Sequence, residues 1–149
     1  MELWELTARE AIRDLVVRYN ANGDTGRFAY VLELFTEDAV METDDAVYEG
    51  RDGIATLFSG TQQNVKGLAQ PGKPVYLRHN TSTHQIDLLD STHAKGRCYY
   101  FVLMPHGLDH WGRYVDAYEM RDGRWQFTHR KVTMDGYVPG GMGGASVGE

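Results

Sequence analysis

The sequence predicts an α+β domain in which N-terminal helices pack on one face of a strongly curved, mostly antiparallel sheet. Apolar residues recur at helical spacing in the first part of the chain, as far as Phe58. Four strand-like segments separated by short turn signals fill the second part, from Val75 onward. Because helices come first and strands follow one another, an α+β arrangement is favoured over alternating units. With 149 residues, the chain has the length of one domain.

The first predicted helix begins at Thr7 and ends near Asn22 and Gly23. Thr7, followed three residues later by Glu10, matches the capping-box pattern that starts many helices. Apolar residues then follow at the spacing of one helical face, namely Ile12, Leu15, Val16 and Tyr19.

A second helix is predicted directly after the first, with Asp24 or Thr25 positioned to cap it. The helical spacing of apolar residues then ends, and residues 39–42 and 47–48 are typical of extended strands. The segment GRDGIATLF predicts a short third helix that ends at Phe58, before the polar loop TQQNVKGLAQPGKP.

Four strands are expected to form an antiparallel meander because turn-like residues separate them, the strongest turn signal being Arg121-Asp122-Gly123. These strands are residues 75–90, 94–104, 110–120 and 124–134. The ordered domain is predicted to span residues 1–138. The remaining residues, 139–149, include five Gly in eleven positions and are predicted to form a flexible tail.

The composition disfavours a nucleic-acid or membrane partner. The formal net charge is −6, whereas proteins that bind the phosphate backbone need clustered Lys and Arg. The longest apolar run, YYFVLM, is far shorter than the roughly 20 residues that span a bilayer. The start of the chain has no signal-peptide pattern and Cys98 is the only cysteine, so we expect a cytoplasmic protein with a hydrophobic small-molecule ligand.

The histidines allow several interpretations. His79 and His84 are an odd number of residues apart, so they point to opposite faces of a strand unless a bulge intervenes. His106 and His110 have a spacing that could suit zinc, with Asp109 between them. Without a third ligand in the sequence pattern, side chains in a solvated loop are the favoured interpretation of that pair. The roles of His84, His106 and His110 are left open.

Each of the polar residues considered as a functional residue could instead have a purely structural role. His79 could be a half-buried strand histidine, Asp24 a helix cap and Arg130 an exposed strand arginine. Three tyrosines could simply pack their rings in or beside the core and leave the hydroxyl group in contact with water. These are Tyr19, Tyr48 and Tyr114.

Taken together, four segments occur in a characteristic order: LFTEDAV, YEGRDGI, RHNTSTHQIDL and YEMRDGRWQFTHR. In this order the chain resembles the SnoaL-like branch of the nuclear transport factor 2-like superfamily, which includes scytalone dehydratase and hexachlorocyclohexane dehydrochlorinase. The resemblance covers the chain from about Arg9 to Met134. It implies a cone-like α+β barrel with a deep ligand pocket between the helices and the sheet.

The resemblance also implies roles for individual residues. His79 falls on the strand histidine that acts as the base in lyases of this branch, and Asp24 falls on the aspartate that holds it. Arg130 falls on an arginine that handles the leaving anion. Tyr19 stands where the dehydrochlorinase pattern has a lysine, and this difference disfavours chloride removal. In the scytalone dehydratase pattern a second histidine and an asparagine fall near Met104 and Tyr114, which we take as substrate-binding positions.

These roles predict a cofactor-independent lyase, of dehydratase type, that removes a proton from carbon of a hydrophobic cyclic small molecule. His79 is the base, Asp24 orients it, and three polar stabilisers are expected: Arg130, Tyr19 and Tyr48. No metal or organic cofactor is required. An isomerase or polyketide cyclase would share the first step, and a non-catalytic ligand-binding protein is the alternative from another class.

We also expect a homodimer or homotrimer. The strands carry more apolar positions than one core face needs, among them Tyr99, Phe101 and Trp111. Curved sheets of this branch commonly have their outer face covered by other subunits.

Overall fold

The structure, a computed structural model, describes residues 1–142. Within this range the helices are α1 (Leu3–Gly23), α2 (Phe28–Glu33) and α3 (Gly50–Gly67). The strands are β1 (Phe35–Glu42), β2 (Val47–Glu49), β3 (Arg78–Leu88), β4 (His93–Met104), β5 (Gly107–Arg121) and β6 (Arg124–Tyr137). No helix in the described range is long and apolar enough to cross a membrane.

The strands form one six-stranded sheet in the order β2-β1-β6-β5-β4-β3. Strands β3 to β6 are the antiparallel meander, and β2 pairs antiparallel to β1. Strand β1 pairs parallel to β6, which makes the sheet mixed. The α+β class, with helices on one face of a curved, mostly antiparallel sheet, is confirmed. The sheet is open, with β2 and β3 at its two edges.

Helix α1 begins at Leu3, so the predicted start at Thr7 is wrong. The Glu5 carboxylate accepts a hydrogen bond from the backbone N–H of Glu2 at 2.7 Å, and this caps the helix one turn earlier. The Thr7 hydroxyl instead donates to the carbonyl of Trp4 within the helix, at 3.0 Å.

The other two helices also differ from the prediction. Helix α2 begins after Arg27 without a side-chain cap, so neither Asp24 nor Thr25 caps it. Asp24 is the C-terminal cap residue of α1. Helix α3 continues past Phe58 to Gly67, because the polar residues that follow Phe58 can continue a helix on its solvent-exposed side.

The core lies between the helices and the inner face of the sheet. Tyr19 of α1 is central to it, with its ring centroid 5.8–6.2 Å from four other rings. These rings belong to Phe35, Phe58, Tyr114 and Phe127. Strand β4 alternates strictly between exposed and buried residues, as expected when only one face of a sheet is covered.

A bulge in β3 decides where its two histidines point. The pairing with β4 shifts register between Ser82 and Gln85, and Thr83 has a positive φ of 53°. Because the bulge adds one residue to β3, His79 and His84 both point to the inner face. His79 lies beside Tyr100 and His84 beside Tyr118, both of which are buried.

The first residues of the predicted tail are held against the start of β5. Just before the tail, the N–H of Val138 donates to the Asp109 carbonyl at 2.9 Å, and within it the N–H of Met142 donates to the Asp109 carboxylate at 2.8 Å. The rest of the predicted tail, residues 143–149, lies outside the described residues.

Candidate active site

Asp24 and His79 are brought together from the end of α1 and the start of β3. The Asp24 Oδ1 atom lies 2.6 Å from His79 Nδ1, and Asp24 Oδ2 accepts the backbone N–H of His79 at 2.8 Å. The side chains are 10% and 22% exposed, respectively. The carboxylate therefore fixes both the ring and the backbone of the histidine.

This contact sets the tautomer of His79. A carboxylate can only accept hydrogen bonds, so the ring hydrogen lies on Nδ1 and the Nε2 lone pair is left available. No protein partner for Nε2 occurs among residues 1–142. An imidazole held in this way can accept a proton from a bound molecule.

Two other rings flank His79. Its centroid lies 6.0 Å from that of Tyr100 and 6.4 Å from that of His110, with the two imidazoles almost perpendicular at 87°. Tyr100 in turn stacks on Tyr114 with centroids 4.7 Å apart.

The prediction that His110 belongs to a solvated loop is wrong. Strand β5 begins at Gly107, so Asp109 and His110 lie within the strand. The His110 side chain is 16% exposed and its Nδ1 lies 2.7 Å from Oδ2 of Asp109, whose side chain is fully buried. The signal in the sequence was the alternation of His110 with Gly112 and Tyr114, which places all three on one strand face.

Arg130 is fully buried and paired with Asp116. Its Nε donates to Asp116 Oδ1 at 2.8 Å and one terminal nitrogen donates to Oδ2 at 2.9 Å, an ion pair that engages both carboxylate oxygens. The interpretation of Arg130 as an exposed strand arginine is therefore wrong. Its other terminal nitrogen, Nη1, is buried without a hydrogen-bond partner among the described residues.

The guanidinium of Arg130 also lies over three aromatic rings. The distances from its carbon to the ring centroids are 4.3 Å for Tyr19, 3.8 Å for Tyr114 and 4.4 Å for Phe127. Burial by itself lowers the pKa of Arg130, but the Asp116 charge outweighs it and raises the pKa. Arg130 is therefore a permanent cation in the aromatic core.

Tyr19 and Tyr114 keep their phenolic protons at neutral pH. Burial raises the pKa of Tyr19 to about 12, although the nearby Arg130 charge acts in the opposite direction. Burial likewise raises the pKa of Tyr114 well above its ordinary value. The Tyr114 hydroxyl donates to Asn20 Oδ1 at 3.4 Å, and the Tyr19 hydroxyl lies 3.9 Å from the sulfur of Met41.

The other two predicted positions lie farther along the sheet. Tyr48 pairs with Met41 across β1 and β2 and is half-buried against the core. Met104 is buried at the end of β4, on the same strand face as Tyr100. Roles for Tyr48 and Met104 stay predictions.

A hydrogen-bonded chain links His84 to Arg130 through two intermediate residues. The Tyr118 hydroxyl donates to Asp116 Oδ2 at 2.8 Å, and His84 Nε2 lies 3.2 Å from that hydroxyl oxygen. Because the hydroxyl hydrogen is used on Asp116, Nε2 is the donor to Tyr118. Burial lowers the pKa of His84.

Two surface grooves lie away from the Asp24–His79 pair. The larger has a volume of about 540 Å³ and lies between the first half of α1 and the β5–β6 turn, where Trp4, Met120 and Trp125 line it. The smaller, of about 280 Å³, lies along β3, β4 and β5. His79 and Asp24 line neither groove.

The described part of the chain contains no candidate metal site. No three His, Cys, Asp or Glu side chains are grouped there in a way that could hold an ion. His106 and His110 share Asp109, with His106 Nε2 at 2.9 Å from Oδ1, but they contact it from two sides as hydrogen-bonding groups.

Residues 4–131 match the SnoaL-like domain family. Since this match spans most of the chain, the protein belongs to that family, which lies within the nuclear transport factor 2-like superfamily. No protein of curated function matches the chain.

Solved structures share the fold at low sequence identity. A candidate scytalone dehydratase from Novosphingobium aromaticivorans is 21% identical, with a TM-score of 0.75 over 93% of this chain and 94% of its own. A hexachlorocyclohexane dehydrochlorinase from Novosphingobium barchaimii is 18% identical, with a TM-score of 0.77 over 93% and 94%.

A third neighbour is the beta subunit of a candidate aromatic-ring-hydroxylating dioxygenase from Novosphingobium aromaticivorans. It is 16% identical, with a TM-score of 0.71 over 90% of this chain and 93% of its own. At these identities the likeness establishes the fold alone.

Proposed function

We propose that this protein is a cofactor-independent lyase, of dehydratase type, that acts on a hydrophobic cyclic small molecule with His79 as the base. One observation carries the proposal: the Asp24 carboxylate engages both His79 Nδ1 and the His79 backbone N–H. A cap residue of a helix needs neither contact, whereas a catalytic imidazole needs both a fixed tautomer and a fixed position.

The first step is proton transfer from carbon to His79 Nε2. Asp24 stabilises the imidazolium that forms, because the proton on Nδ1 stays between the ring and the carboxylate. A positioned base of this kind contributes roughly 10²–10⁴ in rate. A substrate with an acidic C–H bond beside a carbonyl group suits an imidazole base.

Negative charge develops on the substrate as the C–H bond breaks. Arg130, Tyr19 and Tyr48 are proposed to stabilise it, each such donor being worth about 3 kcal/mol in a water-poor site. Tyr19 is suited to this because its raised pKa keeps the hydroxyl protonated. Arg130 acts mainly through its fixed charge, since two of its three nitrogens are bound to Asp116. Tyr114 and Met104 are proposed to contact the substrate.

The protein is further proposed to be a cytoplasmic homodimer or homotrimer. Tyr99, Phe101 and Trp111 lie on the outer face of β4 and β5, where they are 57%, 38% and 36% exposed. Phe101 pairs directly with Trp111 across the two strands. A contiguous apolar patch of this kind is typical of a protein interface.

Two alternative functions remain. An isomerase or polyketide cyclase would use the same base and differ only in the later steps. A non-catalytic ligand-binding or subunit role is favoured by the position of both surface grooves away from His79. The fold alone does not separate these functions.

The rate of an elimination reaction that needs only a base distinguishes a catalytic protein from one that only binds a ligand. The probe is nitrobenzisoxazole, whose ring opens when a base removes its C–H proton and which releases a coloured phenolate. We expect turnover by the protein, with His79→Gln at least about a hundredfold slower and the exposed control His93→Gln unchanged. Equal rates for the protein and His79→Gln would overturn the proposal.

A further inference from the structure

The side chain of Asn20 is buried in the core, yet its amide nitrogen has no partner. Asn20 lies in the last part of α1 and is 7% exposed. The Tyr114 hydroxyl donates to its Oδ1 atom at 3.4 Å, whereas Nδ2 has no hydrogen-bond partner among the described residues. Buried N–H groups are rarely left unpaired, so a ligand or a water molecule is expected to accept from this one.

The position of Asn20 on α1 places its amide beside the Asp24–His79 pair. Asn20 and Asp24 are four residues apart, and the Asp24 backbone N–H donates to the Asn20 carbonyl at 2.9 Å, as in a regular helix. Side chains with this spacing lie on one face of a helix, with Cβ atoms about 5–6 Å apart. Asn20 is therefore one turn farther along the buried face of α1 than the carboxylate that holds His79.

Aromatic rings line the way from Asn20 to His79. Tyr114, which contacts the Asn20 amide, stacks on Tyr100 with ring centroids 4.7 Å apart. The centroid of Tyr100 in turn lies 6.0 Å from that of His79. An aromatic surface with a base at one end and an amide at the other suits a flat hydrophobic molecule that carries one polar group.

Asn20 has the hydrogen that a substrate oxygen needs, whereas Tyr114 has already used its own. Because the Tyr114 hydroxyl donates to Asn20 Oδ1, that hydroxyl has no second hydrogen to offer. Nη1 of Arg130 is also buried without a partner in the described range, and the Arg130 guanidinium lies 3.8 Å from the Tyr114 ring centroid. A negative charge that develops near the Asn20 amide would thus have a fixed cation on the same tyrosine.

We propose that the Asn20 amide N–H binds the carbonyl oxygen of the substrate, an assignment that rests on the proposed function. When His79 Nε2 takes the proton from the neighbouring carbon, the C–H electrons form a C=C bond. The electron pair of the C=O double bond then moves onto the oxygen, which gives an enolate. Asn20 stabilises the enolate oxygen through its hydrogen bond and keeps its own proton, so this step needs no co-reactant.

This assignment narrows the substrate class to flat cyclic compounds with a carbonyl group directly beside the reacting carbon. A site with a buried N–H group disfavours an analogue that lacks the oxygen, because the N–H group is then left unpaired. A stable enol should bind well, since it resembles the state in which the oxygen carries most charge.

Two matched ligands test the assignment without any turnover. One is 2-naphthol, a stable aromatic analogue of the enol of a cyclic ketone, and the other is naphthalene, which has the same rings without the oxygen. Equilibrium dialysis measures the Kd of each ligand. Asn20→Leu removes the amide at similar volume, and Asn20→Asp keeps an oxygen for Tyr114 but has no amide hydrogens.

A matched control is available on the same helix. Asn22→Leu removes an amide whose Nδ2 is already bound to the Arg18 carbonyl at 2.9 Å, so it should leave both Kd values unchanged. Circular dichroism verifies that each variant is folded. If Asn20→Leu does not fold, Asn20→Asp provides the comparison.

We expect Asn20→Leu and Asn20→Asp to raise the Kd of 2-naphthol at least about tenfold. Asn20→Leu should change the Kd of naphthalene less than about threefold. An unchanged Kd for 2-naphthol would show that the amide binds only water, and it would overturn the assignment. Equal changes for both ligands, or no binding of 2-naphthol by the unmodified protein at millimolar concentration, would overturn it as well.

The rates of two reactions distinguish failure of this assignment from failure of the proposed function. Asn20→Leu should slow hydrogen exchange beside the carbonyl group of β-tetralone at least about tenfold. It should slow ring opening of nitrobenzisoxazole, which has no carbonyl group, less than about threefold. Equal slowing of both reactions would contradict the role of Asn20 and leave His79 as the base. If His79→Gln changes neither rate, the proposed function fails, and the binding of 2-naphthol still decides whether Asn20 binds an oxygen.

Discussion

Asp24 holds His79 at two points, with one carboxylate oxygen 2.6 Å from the ring Nδ1 and the other accepting the backbone N–H at 2.8 Å. The residues are 55 positions apart in sequence, and these contacts join the end of α1 to the start of β3. Because the ring cannot rotate without losing a charge-assisted hydrogen bond, Nε2 keeps one direction.

Replacing Asp24 by Asn should impair proton transfer without unfolding the chain. An Asn side chain has one accepting oxygen and a donating NH₂ group, so it cannot accept from both Nδ1 and the backbone N–H of His79. We expect a rate on nitrobenzisoxazole at least about tenfold lower, measured as kcat/KM, with an unchanged circular dichroism spectrum. Full activity in Asp24→Asn would show that the carboxylate does not orient the base.

The buried ion pair of Arg130 and Asp116 predicts a large effect on stability. Asp116→Asn leaves a fully buried guanidinium without its counter-charge, which typically lowers the free energy of unfolding by about 3–5 kcal/mol. Urea unfolding measures this change. In the control Asp135→Asn, the partner is the exposed Arg113 at 3.5 Å, and the expected loss is at most about 1 kcal/mol. Equal effects of the two substitutions would contradict the structural role of the pair.

Two partly buried histidines, His84 and His110, predict how stability depends on pH. Burial lowers the pKa of both His84 and His110 from the ordinary value of 6.5. The unfolded chain therefore binds protons at a higher pH than the folded chain does, so stability is complete above about pH 6.5 and is lost as the pH falls through the folded pKa values.

The midpoints of urea unfolding, measured between about pH 7.5 and 5, test whether stability falls as the pH falls. The variant His84→Gln should lose less stability over the same range, because one of the two groups is gone. A midpoint that rises as the pH falls, or an identical decline in His84→Gln, would show that burial of His84 does not control this range.

The outer face of β4 and β5 predicts self-association. Light scattering at micromolar concentration should give the mass of a dimer or trimer. Phe101→Lys should shift the mass toward that of the monomer, because a charge would be buried in the proposed interface. Val17→Lys, at a 59% exposed position of α1, serves as the control and should leave the mass unchanged. A molecular mass equal to that of the monomer would contradict the proposed self-association.

The sequence pattern predicted the helices and the meander because both depend on local periodicity. It did not predict the parallel pairing of β1 with β6, since that contact joins residues far apart in the chain. The inward direction of His84 depended on the bulge at Thr83, which no turn signal marks. The encounter of Asp24 with His79 followed from family resemblance, because strand spacing alone gave no partner for either residue.

The partner of Arg130 could not be predicted from the sequence either. Its partner Asp116 lies directly opposite across β5 and β6, but the register shifts once between Ala117 and Tyr118. Counting back from the Asp122-Gly123 turn therefore places the wrong residue opposite Arg130. The predicted strand began at His110, whereas β5 begins at Gly107, so the sequence pattern did not predict the contact of His110 with Asp109 inside the strand.

Hydrogen exchange on a cyclic ketone that has no leaving group tests the central claim most directly. In D₂O, the protein should catalyse deuterium incorporation next to the carbonyl group of β-tetralone, followed by NMR. The rate should rise to a plateau as His79 loses its proton, and His79→Gln should reduce it at least about a hundredfold. The same rate and the same pH dependence in both proteins would contradict a role for His79 as the base that removes a proton from carbon.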